Sequence, residues 1–417
     1  MTANRLQRRW PRRASRAVAM AAALMAAETW GEAALPETPA ESIPILAWQG
    51  PPSDETTLER YRELADAGFT LSLGHFPDLE AASRALDVAQ QTGVRLILAC
   101  PELTRDPLEA ARRLHAHPAL AGYNLADEPG ARQFAELARW AARLEAADPR
   151  PLRYVNLFPS YASSEQLGAS SYEEYVARFL SEVPVQMLSF DHYPITFKGL
   201  RANYYDNLRI VADAAQRSQR PLWAFVLSVA HDPYPQPELG HLKLQALSNL
   251  AHGARVIQYF TYWTPEPGTW NFHDGPIGHD GRRTATYDLV KQTNRRIAEL
   301  APLLAAAQWR RAAHVGAELP AGTAAYVPRW PVRGVEAAAG AIVAEFAAGP
   351  RDLLMVVNRD YAAPQSVRIA LAPDGAVADA SHPGVEQPLT GGAYEIALPP
   401  GEAAVLVWER SAAKAAP

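Results

Sequence analysis

The stretch Leu120-Ala121-Gly122-Tyr123-Asn124-Leu125-Ala126-Asp127-Glu128-Pro129 decides the reading of this 417-residue chain. Leu120, Tyr123 and Leu125 favour a strand, and Pro129 cannot continue its hydrogen-bond ladder. Residues 132–144, which follow, carry apolar side chains at helical spacing. Two adjacent carboxylates therefore stand where a strand hands over to a helix. At the C-terminal end of a barrel strand, a carboxylate is placed for chemistry.

The same handover repeats on both sides. Apolar runs over 44–48, 69–73, 94–99, 122–126, 152–157, 186–190, 222–227 and 255–262 read as eight strands. Amphipathic runs over 57–67, 79–91, 107–116, 132–146, 172–183, 204–218, 240–252 and 286–300 read as eight helices. Leu58, Tyr61, Leu64 and Ala65 show the spacing. Strands that are apolar throughout, such as Arg95-Leu96-Ile97-Leu98-Ala99, fit a parallel sheet covered on both faces. The pattern predicts a (β/α)₈ TIM barrel over 43–304. Beyond residue 304 helical spacing fades. Short β-like runs over 341–346, 353–358, 366–371, 394–398 and 403–408 alternate with Gly, Pro and Asp turns. They predict a small C-terminal antiparallel β-sandwich over 305–411.

Bulk properties narrow the function. Charged residues are 20% of the chain and the net charge is −5, so no nucleic-acid partner is expected. The one cysteine, Cys100, ends an apolar run and reads as a small buried hydrophobe. Residues 1–33 read as a signal peptide. Arg5, Arg8, Arg9, Arg12, Arg13 and Arg16 form a basic region, 17–27 an apolar stretch too short to span a bilayer, and Gly31-Glu32-Ala33 a small-residue cleavage site. Export to the periplasm or the medium is expected, without stable membrane insertion. No Gly-rich phosphate loop follows a strand, so no cofactor is expected.

The strand ends collect the reactive residues. They bring Trp48 after strand one, His75 after strand two, Asp127 and Glu128 after strand four and Asn156 at strand five. Asp191, His192 and Tyr193 close strand six, and Tyr262 and Trp263 close strand eight. The opposite ends are plain turns such as Asp66-Ala67-Gly68 and Gln91-Thr92-Gly93. Trp48, Tyr161, Tyr193, Tyr262, Trp263 and Trp270 all belong to the reactive end. Flat aromatics cover the apolar faces of sugar rings while acids and amides bond their edges, so the expected ligand is a carbohydrate. Glycoside hydrolysis needs two carboxyl groups, one kept protonated by burial or by a neighbouring charge. Glu128 is the expected general acid and Asp127 its hydrogen-bonding support. The plainer role for Glu128 is a charge at a helix N-terminus.

The eight-unit barrel, the acid after strand four, Asp191-His192-Tyr193-Pro194 and Gln258-Tyr259-Phe260-Thr261-Tyr262-Trp263 together resemble the retaining (β/α)₈ glycosidases that include β-galactosidases and cellulases. The resemblance implies an Asn-Glu pair ending strand four with the Glu as acid/base, and a nucleophilic Glu on strand seven. Glu128 matches, Asp127 stands in place of the Asn, and strand seven reads Trp223-Ala224-Phe225-Val226-Leu227-Ser228 without an acid. Asp191 is the leading substitute as nucleophile or base, ahead of Asp232 and Glu238. Trp48, His75, Asp127, Asn156, Tyr193, Tyr262 and Trp263 are expected to bind substrate. Two other readings stand beside this one. The acid–imidazole neighbours Asp191-His192, His231-Asp232, His273-Asp274 and His279-Asp280 would suit a metal-dependent hydrolase. A non-catalytic sugar-binding barrel would explain the missing strand-seven acid.

Overall fold

The computed structural model describes residues 41–389 and 392–410. The expected leader lies outside them. Eight parallel strands close on themselves: β1 (Ile45–Trp48), β2 (Leu71–His75), β3 (Arg95–Ala99), β4 (Leu120–Asp127), β5 (Leu152–Leu157), β6 (Leu188–Phe190), β7 (Leu222–Leu227) and β8 (Ala254–Phe260). Each pairs with its neighbours in sequence, and β1 pairs with β8 to complete the TIM barrel. The crossovers are α1 (Leu58–Asp66), α2 (Leu79–Gln90), α3 (Pro107–Leu114), α4 (Phe134–Ala147), α5 (Tyr172–Glu182), α6 (Tyr204–Ser218) and α7 (Leu239–Ala251), and α8 (Ala285–Leu304) follows β8. Polar caps start several of them. Thr57, Asp78, Asp106 and Ser171 accept backbone N–H groups of the first turns of α1, α2, α3 and α5, the usual remedy for orphan helix donors.

Alternation along the strands sorts two cores. Leu46, Leu73, Ile97, Tyr154, Trp223 and Phe225 point inward and fill the barrel. Ile45, Ala47, Leu96, Val155, Ala224 and Ile257 point outward under the helices. At the N-terminal ends, Gly68 (φ 89°) and Gly93 (φ 76°) close α1 and α2 in the left-handed region, where a side chain would be strained. These turns serve stability and leave the other rim to carry the longer loops.

The C-terminal region is a sandwich of two antiparallel sheets. Its strands are β9 (Gln308–Val315), β10 (Val332–Ala337), β11 (Ala341–Ala348), β12 (Arg351–Asn358), β13 (Gln365–Leu371), β14 (Val377–His382), β15 (Val385–Leu389), β16 (Gly392–Leu398) and β17 (Ala403–Glu409). One sheet runs β9-β11-β12-β17-β14-β15 and the other β10-β13-β16. Val343, Leu354, Val367, Ile369 and Leu406 fill the space between them. The larger sheet turns its other face to the barrel, where Ile342, Phe346, Met355 and Val405 join the core under the helices. Glu402 receives Lys243 of α7 and Arg296 of α8, the latter through Nε at 2.8 Å. A methyl group added at Gly240 would collide with the Tyr361 carbonyl oxygen, so the contact is close. Among the described residues, no helix is long and apolar enough to cross a membrane.

Candidate active site

The end of β4 is shaped by one unusual dihedral. A bulge between Asn124 and Ala126 shifts its pairing with β5. Glu128 then takes a left-handed backbone (φ 49°), and its N–H donates to the Asn156 carbonyl at 2.8 Å. A non-glycine residue pays roughly 1 kcal/mol or more for that conformation. The alternation of a regular strand would put Asp127 and Glu128 on opposite faces. The left-handed turn brings both toward the same group: the charges of Glu128 and Asp127 both act on Asp191.

Three carboxyl groups therefore meet at the mouth of the barrel. Asn156, an inward residue of β5, donates Nδ2–H to Asp191 Oδ1 at 3.0 Å and to Asp127 Oδ1 at 3.2 Å. Glu128 lies within hydrogen-bonding reach of Asp191. The amide of Asn156 is itself fixed from below. Ser189 Oγ–H donates to its Oδ1 at 2.9 Å, Gln258 Nε2–H donates to Ser189 Oγ at 2.8 Å, and the Tyr154 hydroxyl donates to Gln258 Oε1. Asn156, Ser189, Gln258 and Tyr154 are all buried. A satisfied network of this kind holds its members in one arrangement.

Burial and crowding raise the proton affinity of all three acids. Glu128 is pushed up to about 7, first by burial and then by the negative charge of Asp127. Asp191 is held well above the usual carboxylate range, first by burial and then by Glu128 and Asp127. Asp127 is raised by burial, and the Asn156 amide opposes that rise; its side chain keeps contact with solvent through the mouth. Glu128 and Asp191 titrate as one unit, and at neutral pH the unit retains a proton.

The other expected residues fall in three places. Trp48 is buried against the rings of Phe225 (5.5 Å) and Tyr154 (5.9 Å) and floors the mouth. Tyr193 stacks on Phe260 at 5.9 Å, close enough to Asp191 for that charge to raise its hydroxyl further, after burial. His75 is exposed and shares with Trp263, Gln49, Glu266 and His279 a cleft of about 510 Å³ beside β1, β2 and β8. Tyr262 sits elsewhere: fully buried, it packs edge-on against Phe69 at 5.3 Å in the layer between strands and helices. Its position two residues past the inward Phe260 suggested the mouth, but the alternation of β8 stops at Phe260: the Tyr262 N–H donates to the Trp48 carbonyl at 3.1 Å and its ring joins the outer layer.

Strand seven offers no second acid. Its inward mouth position is Leu227, packed with Val229, Tyr234, Tyr193 and Phe260. Asp232 and Glu238 are exposed, the latter at the head of α7, and neither is among the groups that act on Glu128 or Asp191. The acid–imidazole neighbours do not converge. His192 Nδ1 bonds Asn207 Oδ1 at 2.8 Å, His231 is surrounded by Tyr234, Phe272 and Trp270, His273 bonds Asp274, and His279 bonds the Phe272 carbonyl. Among the described residues, no group of three His, Cys, Asp or Glu side chains is arranged to hold a metal ion.

Several residues near the acids were not singled out from the sequence. Ser189 and Gln258 are polar residues at inward positions of otherwise apolar strands, which is the signal that could have found them. Arg201 and Tyr234 give less warning. Arg201 lies over the rings of Tyr161 (4.4 Å) and Tyr234 (5.6 Å), and its Nη2–H donates to the Tyr234 hydroxyl at 3.1 Å. The two come from loops after β6 and β7, and only the folded chain joins them.

Residues 175–300 match the family model described as Beta-galactosidase, glycoside hydrolase family 42, which is under a third of the chain. The match covers β6 to β8 with Asp191 and leaves Glu128 outside. None of the curated proteins matches the sequence. Among solved structures, a catalytic mutant of a GH42 β-galactosidase from G. stearothermophilus aligns over 89% of this chain and 98% of its own, at 11% identity and a TM-score of 0.62. A cold-adapted β-galactosidase from Rahnella sp. R3 aligns over 90% and 99%, at 11% identity and 0.60. One from Bacillus circulans sp. alkalophilus aligns over 88% and 99%, at 10% and 0.58. The chain spans 58% of the β-galactosidase from the Antarctic haloarchaeon Halorubrum lacusprofundi, at 16% identity and 0.45. At these identities the likeness establishes the fold. In architecture and in its matched segment, the chain is similar to barrel glycoside hydrolases of the β-galactosidase kind, as a divergent example.

Proposed function

We propose that the protein is a glycoside hydrolase that cleaves O-glycosidic bonds of an oligo- or polysaccharide at the mouth of the barrel. One observation carries the proposal: Glu128 lies at the mouth within hydrogen-bonding reach of the buried Asp191, where burial and the charge of Asp127 push it up to about 7. A neutral carboxyl group at that position is the acid that such a reaction needs. Glu128 gives its proton to the leaving oxygen as the bond from that oxygen to the anomeric carbon breaks. With the pair's retained proton on Glu128, Asp191 is the ionised member, and it either forms the new bond to that carbon or takes a proton from the water that does. Trp48, His75, Asp127, Asn156, Tyr193 and Trp263 shape the sugar site around them. The basic and apolar leader at 1–33 supports export.

The test is Glu128→Gln assayed on a panel of nitrophenyl and alkyl glycosides. Loss of kcat/KM by ~10²–10⁴-fold is expected for poor leaving groups. A far smaller loss is expected for dinitrophenol, which leaves without protonation. Equal losses on both would sink the assignment of Glu128.

Leu227 at the inward end of β7 favours a second reading, a barrel that binds sugar without cleaving it. Calorimetric binding of oligosaccharides by the wild-type protein, with no reducing sugar released, would select it.

A further inference from the structure

Six large hydrophobic residues are exposed among those described: Tyr161, Phe197, Trp270, Leu319, Val327 and Val385. The three aliphatic ones belong to the sandwich region. The three aromatic ones all lie on loops at the mouth of the barrel, after β5, β6 and β8. Chance exposure would scatter them, and a cluster at one rim marks a binding surface.

Two of the three rings are built into one wall with the acid site, and the third is carried on a hairpin beside it. Trp270 is 51% exposed, and its ring meets the buried His231 ring edge-on at 5.9 Å. His231 packs on Tyr234 at 4.8 Å, and Tyr234 on Tyr193 at 5.9 Å. Tyr193 lies two residues beyond Asp191. Tyr161, 38% exposed, is reached from the same Tyr234 through the guanidinium of Arg201, which lies over both rings. Phe197, 67% exposed, tips the small hairpin of Ile195–Thr196 and Gly199–Leu200, and its N–H donates to the Pro233 carbonyl at 3.0 Å. The loop that carries Trp270 is pinned in turn, with Ala230 and His273 exchanging both backbone hydrogen bonds at 2.9 and 3.0 Å. The Trp270 and Tyr161 rings are therefore held in place by neighbouring rings and the Arg201 guanidinium, and Phe197 by its pinned backbone.

We infer that Trp270, Tyr161 and Phe197 form an outer platform on which the sugar units beyond the cleaved bond stack, so that the preferred substrate is a chain of three or more sugars rather than a terminal disaccharide. The inference rests on the proposed hydrolase reading and adds chain length to it. Sugar faces are apolar and suit flat rings, and continuity with the acid site says which ligand would lie there.

The experiment compares wild-type protein, Trp270→Ala and Trp270→Phe on a ladder of β-linked gluco- and galacto-oligosaccharides of two to six units and on the matching nitrophenyl monoglycosides. The ladder is run as hydrolysis, and again as calorimetric binding to the Glu128→Gln background. One stacked ring contributes a factor of roughly three to ten. The ratio of kcat/KM on the tetramer to that on the monoglycoside should fall by that factor in Trp270→Ala and be largely restored in Trp270→Phe. A penalty that does not grow with chain length in either arm overturns the platform; if the wild-type protein still hydrolyses monoglycosides, the hydrolase reading survives. Length-dependent, Trp270-dependent binding without any hydrolysis upholds the platform and removes the hydrolase reading. No binding in any arm removes both. A change of oligomeric state in Trp270→Ala by light scattering would place a second copy of the chain on this face and also overturns the platform.

Discussion

Replacing Glu128 by Gln should make the protein relatively more stable as pH rises, although it removes a residue of the site. Glu128 holds its proton to about pH 7 in the folded chain, against an ordinary value of 4.5. Between those values the folded state binds more protons than the unfolded state, so stability falls as pH increases. The gap is worth at most about 3.4 kcal/mol, and solvent at the mouth brings it to roughly 1–3 kcal/mol. Gln has the shape of the protonated acid and no charge to lose. It also removes the charge that raises Asp191, which acts in the same direction. Near pH 4.5 the two proteins should therefore be close in stability, and by pH 8.5 the variant should lead. For a chain of this size 1 kcal/mol moves Tm by about 1 °C or slightly more, so the expected lead is about 1–4 °C. Scanning calorimetry on both proteins from pH 4.5 to 8.5, at constant ionic strength, reads it directly. A Tm difference that stays flat, or that turns against the variant at high pH, would refute a Glu128 proton held by burial.

Three further outcomes follow from the same geometry. The pH profile of kcat/KM should fall through an alkaline limb near 7, and Asp127→Asn should move that limb down by roughly one pH unit, because the Asp127 charge helps to raise Glu128. Asn156→Ala takes one amide donor from two carboxyl groups at once; a loss of about 1–3 kcal/mol is expected, growing as pH rises because the Asn156 amide favours the ionised form of both acids, as thermal melts at pH 5 and pH 8 would register. Gly240→Ala should cost roughly 1–3 kcal/mol through its collision with the Tyr361 carbonyl, and limited proteolysis should then cut more readily between the barrel and the sandwich.

The barrel was legible because its strands and helices each keep one period for long enough to be counted. Strand ends were less so. The eighth run was read to 262, but β8 ends at Phe260, and the residues beyond it turn toward β1. Four sandwich strands gave no alternation to read. In β9, Arg310 and Arg311 interrupt the apolar run because they pair with Asp352 and Glu345 of neighbouring strands, and β14 and β15 are a short hairpin around Gly384. At the site, Glu128 and Asp191 were visible as acids ending apolar strands. Their contact was not, because it depends on a left-handed residue that the sequence Asp-Glu-Pro does not announce. The role of Leu227 was visible only as an absence, and the folded chain shows what fills the place.

The Tyr154–Gln258–Ser189–Asn156 relay joins β5, β6 and β8 below the mouth and ends on the two aspartates. Its lower members, Tyr154, Gln258 and Ser189, are buried beneath Asn156, so a ligand arriving from above does not touch them. The support of the acids thus comes from the staves of the barrel, and the exposed aromatic rings of the mouth from its loops. A change at Gln258 would loosen the amide of Asn156, and through it the two aspartates, without altering any residue at the mouth.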